Sequence, residues 1–421
     1  MKLPTQNESV RTSSVTSGTP NAQHHAGRAL AWQICLSGML ALAAAMGVGR
    51  FAFTPLLPMM LHDGTLNLNT AGMLATANYI GYFLGAMLCA LHRSKAPITM
   101  IKGGLVATVL LTWGMGLLHN DILWISLRLI SGMVSAFVFV YSSGWCLHKL
   151  TQLGYPELGG VIFCGPGIGI MLTGLSSGPM VAHGWSADSG WLAFGALALL
   201  LALMIWRTYR NDPADQDLSP AGASKNKPAG ETATVKREVH LQVIAYGMAG
   251  FGYIITATFL PVIARQALPD SFWPDFFWPI FGFGVALGAF GATRLSADGD
   301  QRRLLTISYL MQAVGVSLSI LLPNAFGFAL SCLLLGLPFT AITLFAMREA
   351  RRLRHEHASS LMGLMTASYG LGQIAGPPLA TALVHRSGSF SPSLCVAVVA
   401  LLFGAAMYYR LSRRHPYPIS Q

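Results

Sequence analysis

Two arginines, Arg50 and Arg128, stand inside long apolar stretches of the sequence, and no Asp or Glu lies deep enough in those stretches to neutralise them. A lone cation in hydrocarbon costs ~2.5–3.5 kcal/mol on insertion scales, so such a residue usually faces a cavity and is functional. A guanidinium stays charged and presents a planar fork of donors that matches a carboxylate. The simplest missing partner is therefore an anionic or carboxylate-bearing solute.

The two arginines are expected at similar depth. With a helical rise of ~1.5 Å per residue, Arg50 lies ~20 Å along the chain before Asp63, and Arg128 lies ~10 Å after Asp121. Their depths therefore differ by about two helical turns, and together they could clamp a mono- or dianion. Both are predicted to bind the solute.

The helix that carries Arg50 is expected to be bent or broken. Pro55 and Pro58 follow Arg50 closely, and sharp helix kinks are almost always found at proline or similar disruptions. A broken helix exposes backbone groups that can ligate a solute. The competing interpretation is that Arg50 snorkels to the outer membrane surface.

Other polar residues in apolar stretches are candidate companions, because polar groups facing lipid are costly and should point inward. Tyr369 and Gln373 are four residues apart and share one helix face. Interhelical hydrogen bonding is the alternative role for each candidate. The candidates are Asn78, Tyr79, Tyr82, Tyr253, Thr256, Thr340, Thr343, Tyr369 and Gln373.

The elements that must position these residues are membrane-spanning helices. The chain has 421 residues, 53% hydrophobic and 10% charged, whereas soluble domains carry about 25% charged residues. The apolar runs are continuous rather than alternating, which favours helices of ~20 residues over barrel strands. Twelve segments are predicted, at about 30–61, 70–91, 97–118, 122–147, 157–182, 189–206, 240–263, 276–295, 303–323, 325–346, 359–384 and 393–410.

The distribution of Lys and Arg predicts the orientation of these segments. With the N-terminus in the cytoplasm, 23 of the 27 basic residues fall on the cytoplasmic side and only Arg265 and Arg386 fall outside. Both termini are therefore predicted to be cytoplasmic. The net charge of +11 is therefore interpreted as mostly setting the membrane topology, and it also favours contact with anionic lipid headgroups. No nucleic-acid partner is expected.

The chain divides into two halves around one long polar stretch. The predicted order is a disordered cytoplasmic tail (1–28), a six-helix bundle (29–206), a cytoplasmic linker (207–239), a second six-helix bundle (240–411) and a tail (412–421). The halves repeat each other at an offset of 203 residues: Gly47, Gly49, Leu57 and Pro58 match Gly250, Gly252, Leu260 and Pro261, and Gly81 and Gly85 match Gly284 and Gly288. Paired halves around a central site are usual in secondary carriers.

On these features the chain resembles the major facilitator superfamily over about residues 30–410. Segment 5 contains Gly165-Pro166-Gly167-Ile-Gly169, similar to the superfamily's glycine-proline motif, and segment 4 contains Arg128-Leu-Ile-Ser-Gly132, similar to its Arg-x-x-x-Gly motif. The gating motif after segment 2 departs from the family pattern, since the stretch around Arg93 lacks the expected Asp. The pattern looks closest to an uncharacterised bacterial branch with an Arg in the first helix.

The resemblance implies an all-α membrane fold of two six-helix bundles related by pseudo-two-fold symmetry. It also implies alternating access, a bacterial inner-membrane location and a monomer without cofactor or metal. Gating or helix packing is expected of Gly165, Pro166, Gly376, Pro377 and Arg93, and Arg128 has proton coupling or packing as alternative roles. Because no deep carboxylate is present, the coupling ion stays open: the solute could bring its own proton, Asp275 could carry one, or anions could exchange.

The leading hypothesis is a secondary, non-ATP transporter of a small anionic organic solute. The alternative is proton-coupled efflux of amphipathic or cationic compounds, which the aromatic residues Phe51, Phe53, Trp278, Phe281 and Phe339 would suit. An enzyme is not expected, because the sequence offers neither a P-loop nor a nucleophile paired with a base.

Overall fold

The computed structural model describes residues 20–91, 94, 96–210, 233–296, 299–354 and 358–414. The first span has three parts: α1 (Pro20–Leu42), a π-helical stretch (Ala43–Val48) and α2 (Phe53–His62). The remaining helices are α3 (Leu68–Leu91), α4 (Pro97–Leu117), α5 (Asp121–Gln152), α6 (Gly159–Ile162), α7 (Gly165–Ala182), α8 (Ala187–Ile205), α9 (Ala233–Ala267), α10 (Pro274–Arg294), α11 (Gln301–Leu321), α12 (Ala325–Leu353), α13 (Ala358–Ser387) and α14 (Ser391–Arg414).

These helices make up the twelve predicted spans, with the short α6 leading into α7. Among the described residues, eleven spans are long and apolar enough to cross a membrane. The twelfth, α13, is 30 residues long but more polar, because it carries Gln373 and several hydroxyl side chains. We call the end of the molecule that bears His62 and His119 the outer end, following the charge-based orientation.

Helix packing follows the same order in both halves. In the N-terminal half α3 packs on α5, and α4 packs on α5 and α8; in the C-terminal half α10 packs on α12, and α11 packs on α12 and α14. The first span packs on α7, as α9 packs on α13. The molecule is therefore an all-α protein of two six-helix bundles related by a pseudo-two-fold axis.

The repeated glycines lie at equivalent helix crossings. Gly85 of α3 lies against the backbone of Met133 in α5, and its repeat partner Gly288 of α10 lies against the backbone of Leu337 in α12. A β-carbon at either glycine would overlap the facing carbonyl. Small residues let membrane helices approach this closely, so the sequence repeat is also a repeat in packing.

In the described part of the chain the two bundles meet mainly where α7 packs on α10, α3 on α13 and α2 on α9, and the short α6 also contacts α10. Together α6 and α7 line nearly the full length of α10, from Gly160 of α6 beside Thr293 to Gly178 of α7 beside Asp275. The α2–α9 contact lies toward the outer end. Side chains near the middle of these interfaces therefore come from both halves.

Two segment boundaries differ from those predicted. Helix α1 begins at Pro20, so residues 20–28 are helical and the prediction that they are disordered is wrong; proline at the first helical position and the alanines that follow favour a helix there. Helix α9 begins at Ala233, so residues 233–239 extend the seventh span rather than the linker. Residues 1–19 and Arg93 lie outside the described part of the chain.

A buried ionic cluster joins four helices of the C-terminal half, at the end of the molecule opposite the outer end. Arg302 of α11 is fully buried and donates to Glu238 (2.8 Å), to Glu349 (2.6 Å) and to the carbonyl of Leu411 (3.0 Å). Breaking such a pair by removing one partner typically costs 3–5 kcal/mol. The extension of α9 past the predicted boundary places Glu238 in this cluster.

Candidate functional site

The first span is irregular around Arg50, between the π-helical stretch and α2. The backbone N–H groups of Gly49 and Phe51 bond to Ala44 and Met46, five residues earlier, at 3.0 Å each. The ladder is irregular rather than absent up to the start of α2: the Ala52 N–H bonds to the Val48 carbonyl at 3.3 Å, and the Thr54 N–H bonds to the Phe51 carbonyl at 3.2 Å. π-type turns are frequent at functional sites, and the predicted break before Pro55 is confirmed.

One face of α5 holds this break in place. Arg128 donates to the carbonyls of Gly49 (3.2 Å) and Arg50 (2.8 Å). Ser131 donates to the Gly49 carbonyl at 2.6 Å, and Ser135 to the Ala45 carbonyl at 2.7 Å. Unpaired carbonyls at the end of a half-helix carry partial negative charge, which the guanidinium of Arg128 offsets.

Arg50 points the other way, toward the second bundle. One terminal nitrogen donates to Oε1 of Gln373 in α13 at 2.9 Å. The guanidinium carbon lies 4.0 Å from the ring centroid of Tyr82 and 5.3 Å from those of Phe51 and Tyr79. Its Nε is buried and has no hydrogen-bond partner. The side chain is 4% exposed, which rules out snorkelling to the surface.

A chain of polar and aromatic side chains continues from Gln373 into the second bundle. The Gln373 amide nitrogen donates to the hydroxyl of Tyr253. The Tyr253 ring stacks on Tyr369 with centroids 5.9 Å apart, and Tyr369 lies 4.8 Å from Tyr246. The predicted companions Tyr253, Tyr369 and Gln373 are thus brought together with Arg50. We refer to Arg50, Tyr79, Tyr82, Tyr253 and Gln373 as the Arg50 site.

Two further hydrogen bonds cross between the bundles beside this site. The hydroxyls of Tyr79 and Thr258 are 2.8 Å apart, and the Thr54 hydroxyl donates to the Ala257 carbonyl at 3.3 Å. Both bonds join the first bundle to α9. Tyr79 therefore contacts the Arg50 guanidinium with its ring and the opposite bundle with its hydroxyl.

No protein carboxylate balances the two arginines within the described ranges. The ion pairs found there involve other cations, and neither Arg50 nor Arg128 belongs to one. Asp275, a candidate proton carrier, is paired with Arg265 instead. Asn78 donates to the backbone carbonyl of Arg128 at 3.0 Å, which is an interhelical contact.

Four aromatic rings close into a circuit next to the Arg50 site. The centroid distances are 6.3 Å for Phe51–Trp278, 5.2 Å for Trp278–Phe281, 5.9 Å for Phe281–Phe339 and 6.2 Å for Phe339–Phe51. Phe339 also contacts Tyr253 at 5.0 Å. We call these four residues the aromatic wall; it draws on both bundles.

Each glycine-proline pair lies on the fifth helix of its bundle, at a different height in the two halves. Gly165, followed by Pro166, lies against the backbone of Met39 in the first span, and Gly376, followed by Pro377, lies against Ile254 in α9. In both halves the fifth helix of the bundle thus packs closely on the first. This placement supports the packing role expected of these residues.

The sequence alone did not single out three residues that make contacts at this site: Ser131, Ser135 and Thr258. A signal for the serines was present: Arg128, Ser131 and Ser135 are spaced by three and four residues, so they share one face of an apolar helix. Thr258 gave no such signal, because its importance depends on how the two bundles meet.

Comparison with known proteins adds to this geometry. A family model described as "Uncharacterised MFS-type transporter YbfB" matches residues 42–409. Among solved structures, a mutant of the nucleoside transporter NupG has a similar fold, with a TM-score of 0.65 at 13% sequence identity, covering 91% of this chain and 99% of that one. At that identity the likeness concerns the fold alone. No curated protein matches the chain in sequence.

Proposed function

Because the chain belongs to the family of YbfB-type transporters of the major facilitator superfamily, a multi-pass membrane carrier family, we propose that it moves a small organic anion and that Arg50 binds the anionic group. One observation carries the proposal. Arg50 is a buried guanidinium at the interface of the two bundles, and among the described residues its partners are an amide and aromatic rings.

Arg50 and Arg128 divide the work in this proposal. Both terminal nitrogens of Arg128 donate to backbone carbonyls of the first span. Arg128 is therefore a positioning residue: it holds the irregular segment that carries Arg50. Arg50 still has N–H groups that can donate to a ligand, since the Gln373 amide accepts from only one nitrogen of the guanidinium. A bidentate carboxylate would replace the single bond to Gln373 with two charge-assisted ones.

The site also fits alternating access around a central site. Its members come from α3 in the first bundle and from α9 and α13 in the second, together with the broken first span. Carriers of this type bind their solute between repeats at discontinuous helices. The alternative, efflux of cations, finds aromatic residues here, but no described carboxylate lies in contact with the Arg50 site to attract a cation.

The test is ligand binding to the purified full-length protein, read as a thermal shift against carboxylates, sulfonates, phosphonates and amino acids, followed by uptake of each stabilising compound into proteoliposomes. We expect Arg50→Gln to weaken binding of the stabilising anion about 10- to 100-fold, because hydrogen bonds to charged groups contribute ~1.5–3 kcal/mol. Arg50→Lys should bind with intermediate affinity, since it keeps the charge but not the fork.

The matched control is Arg207→Gln, which removes an exposed arginine at the end of the sixth span and should leave binding unchanged. Equal anion binding by wild-type protein and Arg50→Gln would contradict the proposal. Stabilisation by cations or neutral compounds alone would also contradict it.

A further inference from the structure

The Arg50 site offers one cation, and so charge compensation for one anionic group rather than two. Arg128 is turned to the backbone of the break, and Arg50 alone points toward the opposite bundle. A second carboxylate on the same solute would meet aromatic rings and neutral donors instead of a second cation. Burying an ionised group without a partner is strongly unfavourable.

Aromatic side chains surround the anion-binding atoms on several sides. The rings of Phe51, Tyr79 and Tyr82 lie within 5.3 Å of the Arg50 guanidinium carbon. Phe339 joins the aromatic wall to Tyr253, which bonds to Gln373. Any solute held by Arg50 therefore presents the rest of its body to aromatic surfaces.

Two buried polar groups without partners lie on the helices that carry these rings, α10 and α9. The indole nitrogen of Trp278 and the hydroxyl of Thr256 are buried, with both residues 1% exposed, and neither has a hydrogen-bond partner. Thr256 stands almost one helical turn beyond Tyr253 on α9. Buried polar groups are normally satisfied, so these two are expected to bond to a ligand.

We infer that the solute is a monoanionic aromatic carboxylate, with its carboxylate on Arg50 and its ring against the aromatic wall. The inference rests on the proposed function, because it requires Arg50 to bind the anion. Each favourable aromatic pair adds ~0.5–1.5 kcal/mol beyond its buried area. Two such pairs favour an aromatic ring over a saturated ring of the same size by about tenfold in affinity.

The experiment compares four probes on the purified full-length protein by thermal shift and calorimetry: benzoate, cyclohexanecarboxylate, terephthalate and benzamide. We expect benzoate to bind about tenfold more tightly than cyclohexanecarboxylate and terephthalate, and benzamide not to bind. Phe339→Leu should remove the preference for benzoate while cyclohexanecarboxylate still binds. Phe403→Leu is the matched control, because Phe403 is an exposed residue of α14; it should keep the preference.

The outcomes separate the two proposals. Equal affinity for benzoate and cyclohexanecarboxylate, tighter binding of terephthalate, or no binding of benzoate at millimolar concentration would overturn the aromatic monoanion and leave the anion carrier standing. Benzamide binding as tightly as benzoate, in both wild-type protein and Arg50→Gln, would overturn the role of Arg50 and with it both proposals.

Discussion

At the scale of single residues, Arg50 pairs with Gln373, and Gln373 can be exchanged for Glu, which has nearly the same shape and carries a charge. The Gln373 oxygen accepts from Arg50, and its nitrogen donates to Tyr253. Both residues are buried. The site is therefore sensitive to a change of one atom.

We expect Gln373→Glu to weaken benzoate binding at least tenfold while the protein still folds. The new carboxylate would stand about 2.9 Å from the Arg50 guanidinium and form the ion pair that the solute otherwise forms, since a charge-assisted bidentate pair is stronger than a bond to an amide. Calorimetric titration measures the loss. Gln152→Glu, at an exposed position in α5, supplies the control; benzoate affinity in Gln373→Glu equal to that in the control would contradict the expectation.

The sequence supported the prediction of Arg50 as a buried cation at the depth of Arg128, and of Tyr253, Tyr369 and Gln373 as inward-facing companions. It could not show that Arg128 turns to the carbonyls of Gly49 and Arg50. That choice depends on where the first span breaks and on how α5 crosses it. The cross-bundle partner Thr258 likewise follows from the meeting of two bundles, which no local pattern encodes.

At the scale of elements, the broken first span depends on α5 for its hydrogen bonds. The helical ladder becomes irregular over residues 49–52, in a buried region where unpaired carbonyls are costly. Arg128, Ser131 and Ser135 provide donors to the backbone of the broken span. The two helices therefore act as one unit that presents Arg50.

We expect Arg128→Met to lower the free energy of unfolding by roughly 1–3 kcal/mol, because the carbonyls of Gly49 and Arg50 would lose their donor. Ser131→Ala should destabilise in the same direction by a smaller amount. Chemical unfolding in detergent measures both effects. Ser126→Ala is the control, since Ser126 is exposed and bonds only within α5. Unchanged stability in Arg128→Met would show that the break holds without α5.

At the scale of the whole molecule, the charge distribution and the helix order agree on a two-bundle carrier, and the orientation stays a prediction that can be measured. A cysteine at His119, in the loop between α4 and α5, should react with a membrane-impermeant maleimide in intact cells. A cysteine at Gln152, at the other end of α5, should react only after the cells are opened. The parent protein corrects for the native cysteines. Labelling in the reverse order would overturn the orientation.

The fold as a whole could be predicted from the sequence. Twelve apolar runs, a polar midpoint and a glycine repeat at one offset are compatible with few folds other than two six-helix bundles. The helical start at Pro20 and the extension of α9 from Ala233 could not be predicted, because these stretches look like polar tails by composition. Glu238 lies buried against Arg302, and the packing of α9 on its neighbours at this end of the bundle shows why that residue is helical.

The hydrogen bond from Arg50 to Gln373 has a consequence for the unloaded protein. It spans 323 residues of chain and links the two halves, so an empty carrier must break it before it reorients. An anion that captures the guanidinium removes this tether and replaces its electrostatic stabilisation. The loaded carrier would then reorient faster than the empty one, so that cycles without solute would be rare.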